Sequence, residues 1–358
     1  MKTDVEVVEG RTRRDFLIDA ARLAALSAVA AGAPFGGWGR PAAAQTVTGP
    51  AAEPDSASYA VLLGTQGGPS VNLRRGMASS VVVIGGQPYL VDCGYGAVRA
   101  LVESGLGYMG IRNVFLTHLH DDHTLDLTAL MSLQWTGRST KRTDVYGPYG
   151  TAALVAAALD YLAPNFTIRT VDEGRSVRPE TLFYGHDAEA SATPTKVFED
   201  ERVRVTCAEN THYPEAAKAR MPFRSVAYRL DAADRSFVFA GDTTYSKNLV
   251  ELARNADVLV CEAMDVAQHE RLVRQAKEAE EKGDPNSAFL HHVADTHSTT
   301  EQVGQMAAEA GVKTVALNHL LPGSNGPLAR ELPDTTYIAG VRKFFSGSVI
   351  VGRDQMRL

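Results

Sequence analysis

Residues 113–123 constrain this chain most. Asn113-Val114-Phe115-Leu116-Thr117 has the character of a buried strand, and it opens directly onto His118-Leu119-His120-Asp121-Asp122-His123. His118 and His120 are two apart, so on an extended turn both side chains project the same way. Asp122 and His123 follow a tight bend and can face a second ion. Imidazole and carboxylate without a nearby thiolate suit zinc, manganese or iron. The bland alternative, a solvated polar loop, leaves three histidines within six residues unexplained.

A metal held at the end of one strand needs ligands from the ends of others, and the rest of the chain offers them. Short strand-like runs at Tyr59–Leu63, Ser80–Ile84, Tyr89–Asp92 and Asp144–Tyr146 are divided by Gly and Pro. Helical spacing marks Val98–Ser104, Thr124–Leu133 and Thr151–Leu162, the last expected to stop near Pro164. In the second half, strand Val203–Ala208 leads to His212, and the hairpin of Ser225–Leu230 with Ser236–Ala240 leads to Asp242. Leu249–Arg254 is a helix and Asp257–Cys261 a strand followed by Glu262. A helix at Thr300–Ala310, capped by Thr299, follows His297, and strand Lys313–Leu317 leads to His319. Strands and helices alternate in both halves, which predicts an α/β fold of two sheets covered by helices.

The run His118–His123 matches residue for residue the H-x-H-x-D-H signature of the metallo-β-lactamase superfamily, and the chain resembles that superfamily from about residue 59 onward. Leu63-Gly64-Thr65-Gln66-Gly67-Gly68-Pro69, Val91-Asp92-Cys93-Gly94 and Val145-Tyr146-Gly147-Pro148 look like its ribonuclease Z and arylsulfatase-like branch. The resemblance implies an αββα sandwich of two mixed sheets. It implies two divalent metal ions, zinc first with manganese and iron as alternatives. His118, His120 and His212 would hold one ion, Asp122, His123 and His319 the other, and Asp242 both. The penicillin-hydrolysing branches usually lack that bridging aspartate, so a β-lactamase is disfavoured. Asp92 reads as a structural carboxylate beneath the metals. His297-Ser298-Thr299 is similar to the motif whose histidine reaches the substrate in ribonuclease Z, with Glu262 as the acid that orients it. The plainer alternative makes His297 a helix-start residue and Glu262 a rim charge.

That set implies attack on an ester by a hydroxide held between the ions. Asp122 would orient it or take its proton, and His297, held by Glu262, would stabilise the charge building on the attacked group's oxygen or protonate the leaving oxygen. The charged stretch Gln268–Lys282, within 265–296, falls between two of these residues and suggests a helical cap; a solvated helix without substrate contact is the alternative. Phe183–Phe198 is a second insertion candidate, with Phe183, Tyr184 and Phe198 as pocket walls. His186, His269, His291 and His292 fit no motif and read as surface or rim positions. Cys93, Cys207 and Cys261 are too few and too scattered for a disulfide framework and read as buried thiols.

Residues 1–44 read as an address. Arg13-Arg14, an Ala-rich apolar run from Phe16 to about Pro34, and Ala42-Ala43-Ala44 resemble a twin-arginine export signal cleaved after Ala44. An amphipathic N-terminal helix is the alternative, and the run is too short for stable membrane insertion. Residues 45–58 read as a linker, and 59–358 as the hydrolase domain. The leader carries six basic and five acidic side chains, so its removal takes the formal charge from -6 to -7. An acidic body is a poor partner for nucleic acid. The expectation is therefore a periplasmic or secreted hydrolase of small phosphodiester or sulfate esters, resembling arylsulfatases and cyclic-nucleotide phosphodiesterases. Its partners would be a small-molecule ester, the twin-arginine translocase and, as the branch implies, a second copy in a homodimer. A ribonuclease Z-type tRNA 3′ endonuclease, a lactone or organophosphate hydrolase, and a metal-holding binding module are the competing readings.

Overall fold

The computed structural model describes residues 57–71, 73–321 and 332–358. The expected leader and nearly all of the expected linker lie outside them. Ser58 is an exception, for its amide and hydroxyl both donate to Asp234, at 2.7 and 2.6 Å.

The first half runs β1 (Tyr59–Gly64), β2 (Ser79–Ile84), β3 (Gln87–Val91), α1 (Ala97–Glu103) and β4 (Asn113–Phe115). It continues through α2 (Asp121–Thr124), α3 (Leu127–Thr136), β5 (Thr143–Gly147), α4 (Thr151–Glu173) and β6 (Phe183–Asp187). The second half opens with β7 (Thr195–Glu199), β8 (Val203–Glu209), α5 (Glu215–Lys218), β9 (Val226–Ala232) and β10 (Ser236–Phe239). Then come α6 (Lys247–Leu252), β11 (Val258–Met264), α7 (Val266–Glu281), α8 (Ser287–Asp295) and α9 (Thr300–Ala310). The chain closes with β12 (Thr314–Leu321), α10 (Asp334–Arg342), β13 (Ser348–Val351) and β14 (Met356–Arg357).

Two seven-stranded sheets result, ordered β14-β1-β2-β3-β4-β5-β6 and β13-β12-β11-β10-β9-β8-β7. Each mixes antiparallel hairpins with parallel strands: β3, β4, β5 and β6 run parallel in the first, as do β10, β11, β12 and β13 in the second. Parallel neighbours need crossovers, and helices supply them. Alternation along a strand then decides the layers. Ala60 and Leu62 of β1 join Phe115, Tyr228, Phe237 and Val260 in the core between the sheets. Val61 and Leu63 face the other way, onto Leu101, Leu130, Met131 and Trp135 beneath the helices. A matching helix-covered core on the second sheet holds Leu249, Leu259, Val303, Met306 and Val315. This is the αββα sandwich, buried on both faces of both sheets. Cys93, Cys207 and Cys261 are buried free thiols.

Two expectations need correction. The helix from Thr151 does not stop at Pro164 but runs on to Glu173. Its core face is Val155, Ala158, Leu162 and Phe166, and Pro164 lies on the solvent side, where water can satisfy the Asp160 carbonyl that its missing N–H leaves free. The stretch Phe183–Phe198 is not an insertion beside the pocket. It carries β6 and β7, the edge strands that end the two sheets. Phe183 is buried under the helices of the first sheet, Phe198 meets Phe115 with ring centroids 6.0 Å apart, and Tyr184 lies under the Arg142 guanidinium.

Candidate metal centre

The side chains expected to bind metal converge from several elements: His118, His120, His212 and Asp242 from the loops after β4, β8 and β10, Asp122 and His123 from α2, and His319 from within β12. β4 ends at Phe115, and the Thr117 amide donates to Asp92 Oδ1 at 2.8 Å. Asp92 itself has a positive φ of 57°, which turns its carboxylate back under the loop. Its Oδ2 lies 2.8 Å from His123 Nδ1 and accepts from the Thr117 hydroxyl at 2.9 Å. A carboxylate behind an imidazole fixes its tautomer and leaves the other nitrogen facing the site. The one-turn helix α2 then carries Asp122 and His123, while His120 precedes it in extended conformation.

The His212 loop is held by Asn210, which donates from Nδ2 to the Ala240 carbonyl at 2.8 Å and accepts the His212 amide at 3.2 Å. His212 Nδ1 faces the Thr296 carbonyl at 3.2 Å, so Nε2 turns inward. Asp242 follows Gly241, whose φ is +61° and where a Cβ would fall 2.8 Å from Thr117 Cβ; only glycine fits. His319 is delivered by a bulge. β11 and β12 pair Glu262 with Asn318 and then Ala263 with Leu320, which leaves His319 without a partner residue and with φ 40°. An extra residue in one strand re-aims a side chain out of the ladder, and strain of this kind is held where function needs it.

Three donor groups result: the two expected ones, and a third of Asp242, Glu262, His297 and His319 that shares two members with the second. His118, His120 and His212 converge, with His120 Nδ1 lying 3.0 Å from His118 Nε2 and 3.3 Å from His212 Nε2. Asp122, His123, Asp242 and His319 form the second group. There His319 Nε2 lies 3.2 Å from Asp122 Oδ2 and 3.4 Å from Asp242 Oδ2. Asp242 Oδ2 also reaches to 3.9 Å from His118 Nε2, so this carboxylate lies between the groups. Burial lowers the His118 and His212 imidazoles, favouring the neutral form that ligates. For Asp122 burial works the other way, but His123 and His319 outweigh it and hold the carboxyl at about 2. His123 Nε2, His319 Nδ1 and Asp242 Oδ1 are buried with no hydrogen-bond partner. Orphaned buried polar atoms are costly, and cations shared between them would satisfy His123 Nε2 and Asp242 Oδ1. The residues present fit a dinuclear metal site.

His297 Nδ1 lies 2.7 Å from Glu262 Oε2, and the other Glu262 oxygen accepts the Thr243 amide at 2.6 Å. Burial lifts the Glu262 carboxyl well above its ordinary range, helped by Asp242, and lowers the His297 imidazole. Both groups resist charge, so the pair is suited to sharing one proton. Thr299 caps α9 through a reciprocal capping box with Gln302, which fixes where His297 leaves the helix start.

His292 is the site residue that sequence reasoning missed. It is half-buried on α8, with its ring centroid 5.7 Å from His120, 5.4 Å from His212 and 5.8 Å from His297. It belongs to no motif, and only its place between Glu262 and His297 hinted at the site. His269 and His291 staple the two cap helices instead. His269 Nε2 lies 3.0 Å from the Ala294 carbonyl, and His291 pairs with Glu280 at 3.2 Å. His186 pairs with Asp144 at 2.6 Å, away from the donor groups.

Residues 88–320 match the family described as a β-lactamase superfamily domain. Ribonuclease Z of Mycobacterium avium (strain 104) is 31% identical over 264 residues, covering 73% of this chain and 85% of that protein. Ribonuclease Z of Mycobacterium bovis (strain BCG / Pasteur 1173P2) is 28% identical over 300 residues, covering 83% and 96%. Among solved structures, a metallo-β-lactamase fold protein from Bacillus subtilis superposes with a TM-score of 0.56 at 18% identity, over 84% of this chain and 98% of that one. The short form of human tRNase Z gives 0.54 at 22% identity, over the same shares. These two likenesses speak to the fold.

Proposed function

Because the chain belongs to the metallo-β-lactamase superfamily, in its ribonuclease Z branch, as a metal-dependent hydrolase of ester bonds, we propose that it cleaves phosphodiesters at the centre just described. In this reading His118, His120 and His212 would hold one ion and Asp122, His123 and His319 the other, with Asp242 placed to serve both. Zinc suits the imidazole-rich set best, with manganese or iron as alternatives. Two such ions would lower the pKa of a water bound at the site and would offset charge on the phosphoryl oxygens. Asp122 orients the attacking water and accepts its proton. His297, held through Nδ1 by Glu262, presents Nε2 to the leaving oxygen, which takes a proton as its bond to phosphorus breaks. The observation that carries the reading is the facing of two orphaned donor atoms, His123 Nε2 and Asp242 Oδ1, 3.4 Å apart in a buried site.

The name of the mycobacterial relatives, matched over 85% of their length, favours cleavage of an RNA phosphodiester of the ribonuclease Z kind. A small phosphodiester or sulfate ester is the second reading, favoured by the helices α7 and α8, which overhang the cavity above the metal ligands. The deciding experiment counts metals in the purified protein. It then assays precursor tRNA, bis-p-nitrophenyl phosphate, p-nitrophenyl sulfate and a lactone in parallel. About two metals per chain, with phosphodiester turnover lost in His120→Ala, is the expected result; full metal loading without turnover of any phosphodiester would sink the proposal. We further propose export by the twin-arginine route, with a mature protein beginning at Gln45, which N-terminal sequencing of the exported protein tests.

A further inference from the structure

The cavity over the metal ligands has a volume of about 490 Å³, and His120, Asp122, Asp242 and His297 form its floor. That is the size of a small-molecule pocket. Its opposite wall comes from the cap, and the cap distributes its apolar residues unevenly. The buried residues of α7 and α8 are all alanine: Ala276, Ala279 and Ala294. The larger apolar side chains Leu272, Phe289, Leu290 and Val293 line the cavity, and Phe289 is 58% exposed. Apolar surface left facing water in a concave site, beside a few convergent polar groups, marks a ligand contact. Arg271 is the single Lys or Arg among the described lining residues, whereas a channel that tracks a polyanion along its length needs a run of them.

We infer that the cap forms a subsite for one flat apolar or aromatic group attached to the scissile phosphoester, with Phe289 and Leu272 as the residues that select it. The inference rests on the phosphodiester reading above and narrows it. The ring has two sources with the same chemistry, a nucleobase next to an RNA scissile phosphate or the aryl group of a small ester. Both stack on a Phe face and bury apolar area against Leu272.

The test is calorimetric binding to the metal-loaded protein with two matched pairs of non-substrates: phenylphosphonate against methylphosphonate, and adenosine 5′-monophosphate against ribose 5-phosphate. The ring-bearing member of at least one pair should bind about tenfold tighter, and the pair that shows it identifies the source. Phe289→Ala with Leu272→Ala should abolish that preference while affinity for the ring-free member and the metal count stay unchanged. Phe289→Ala alone, at an exposed position, should reduce the preference without lowering the melting temperature. Equal binding within both pairs, or a preference that survives the double variant, would overturn the inference. If the preference stands while no phosphodiester is turned over, the hydrolytic reading fails and the subsite does not.

Discussion

His123 Nε2 and Asp242 Oδ1 face each other across 3.4 Å of buried space, and neither has a hydrogen-bond partner. His123 is fixed from behind by Asp92, so this facing is imposed by the scaffold. An ion that satisfied both would also tie α2 to the loop after β10. Stripping metal with a chelator should therefore abolish activity and also lower the melting temperature, by linkage between binding and folding. Elemental analysis and a thermal melt on the same sample check this; an unchanged melt after complete removal of metal would contradict it.

The His297–Glu262 contact predicts a separation of chemistry from metal binding. His297→Ala should cost roughly 10²–10³-fold in kcat, in the range of a lost general acid or charge-stabilising donor, with metal content unchanged. Glu262→Gln should give a smaller loss, since it keeps the side chain's shape and leaves His297 less firmly oriented. A His297→Ala protein that loses metal in step with activity would instead make this imidazole a ligand.

Gly241→Ala tests the geometry that delivers Asp242. The added methyl meets Thr117 at a backbone angle that only glycine adopts freely. We expect a loss of about 1–3 kcal/mol and fewer metals per chain, because both Thr117 and Asp242 must move. Chemical denaturation and metal analysis together measure it.

Asp257 gives a pH test away from the site. Its carboxylate accepts from the Ser236 amide and hydroxyl, at 2.8 and 2.9 Å, and from Lys313 at 2.6 Å. Partial burial opposes ionisation, but Lys313 and Ser236 outweigh it and hold the group at about 2, against 3.8 ordinarily. A depressed folded value means that the stabilisation is complete above about pH 4 and is lost as the pH falls towards 2. Asp257→Asn should cost about 1 kcal/mol at pH 7, and the gap to the parent should close below pH 3 in urea titrations.

Much of this was legible in the sequence, for identifiable reasons. His118–His123 are neighbours in the chain, so their chemistry declares itself without knowledge of the fold. Thr299 announced its helix because a capping box is local. What could not be read depended on contacts far along the chain. The bulge that aims His319 arises from a slip against β11, invisible in Leu317-Asn318-His319-Leu320 itself. His292 matters only because α8 folds over His120 and His212. β6 and β7 were hidden because an edge strand alternates buried and exposed residues too irregularly to stand apart from a loop. Pro164 misled because on a helix's outer face the carbonyl it leaves unpaired can be hydrated, so the helix survives the lost bond.

The first sheet borrows a strand from the far end of the chain. β14 pairs with β1 through Val61 with Arg357 and Leu62 with Met356, and Asp354 accepts from Thr65, 289 positions away. While the ribosome is still adding residues, the edge of β1 therefore stands open, and the loop bearing Gly67 and Gly68 still lacks its bonds to Leu320 and His319. The nascent chain cannot complete its catalytic edge in the order it is made. The centre can close only once the C-terminal strand has been made and has returned to the edge of β1.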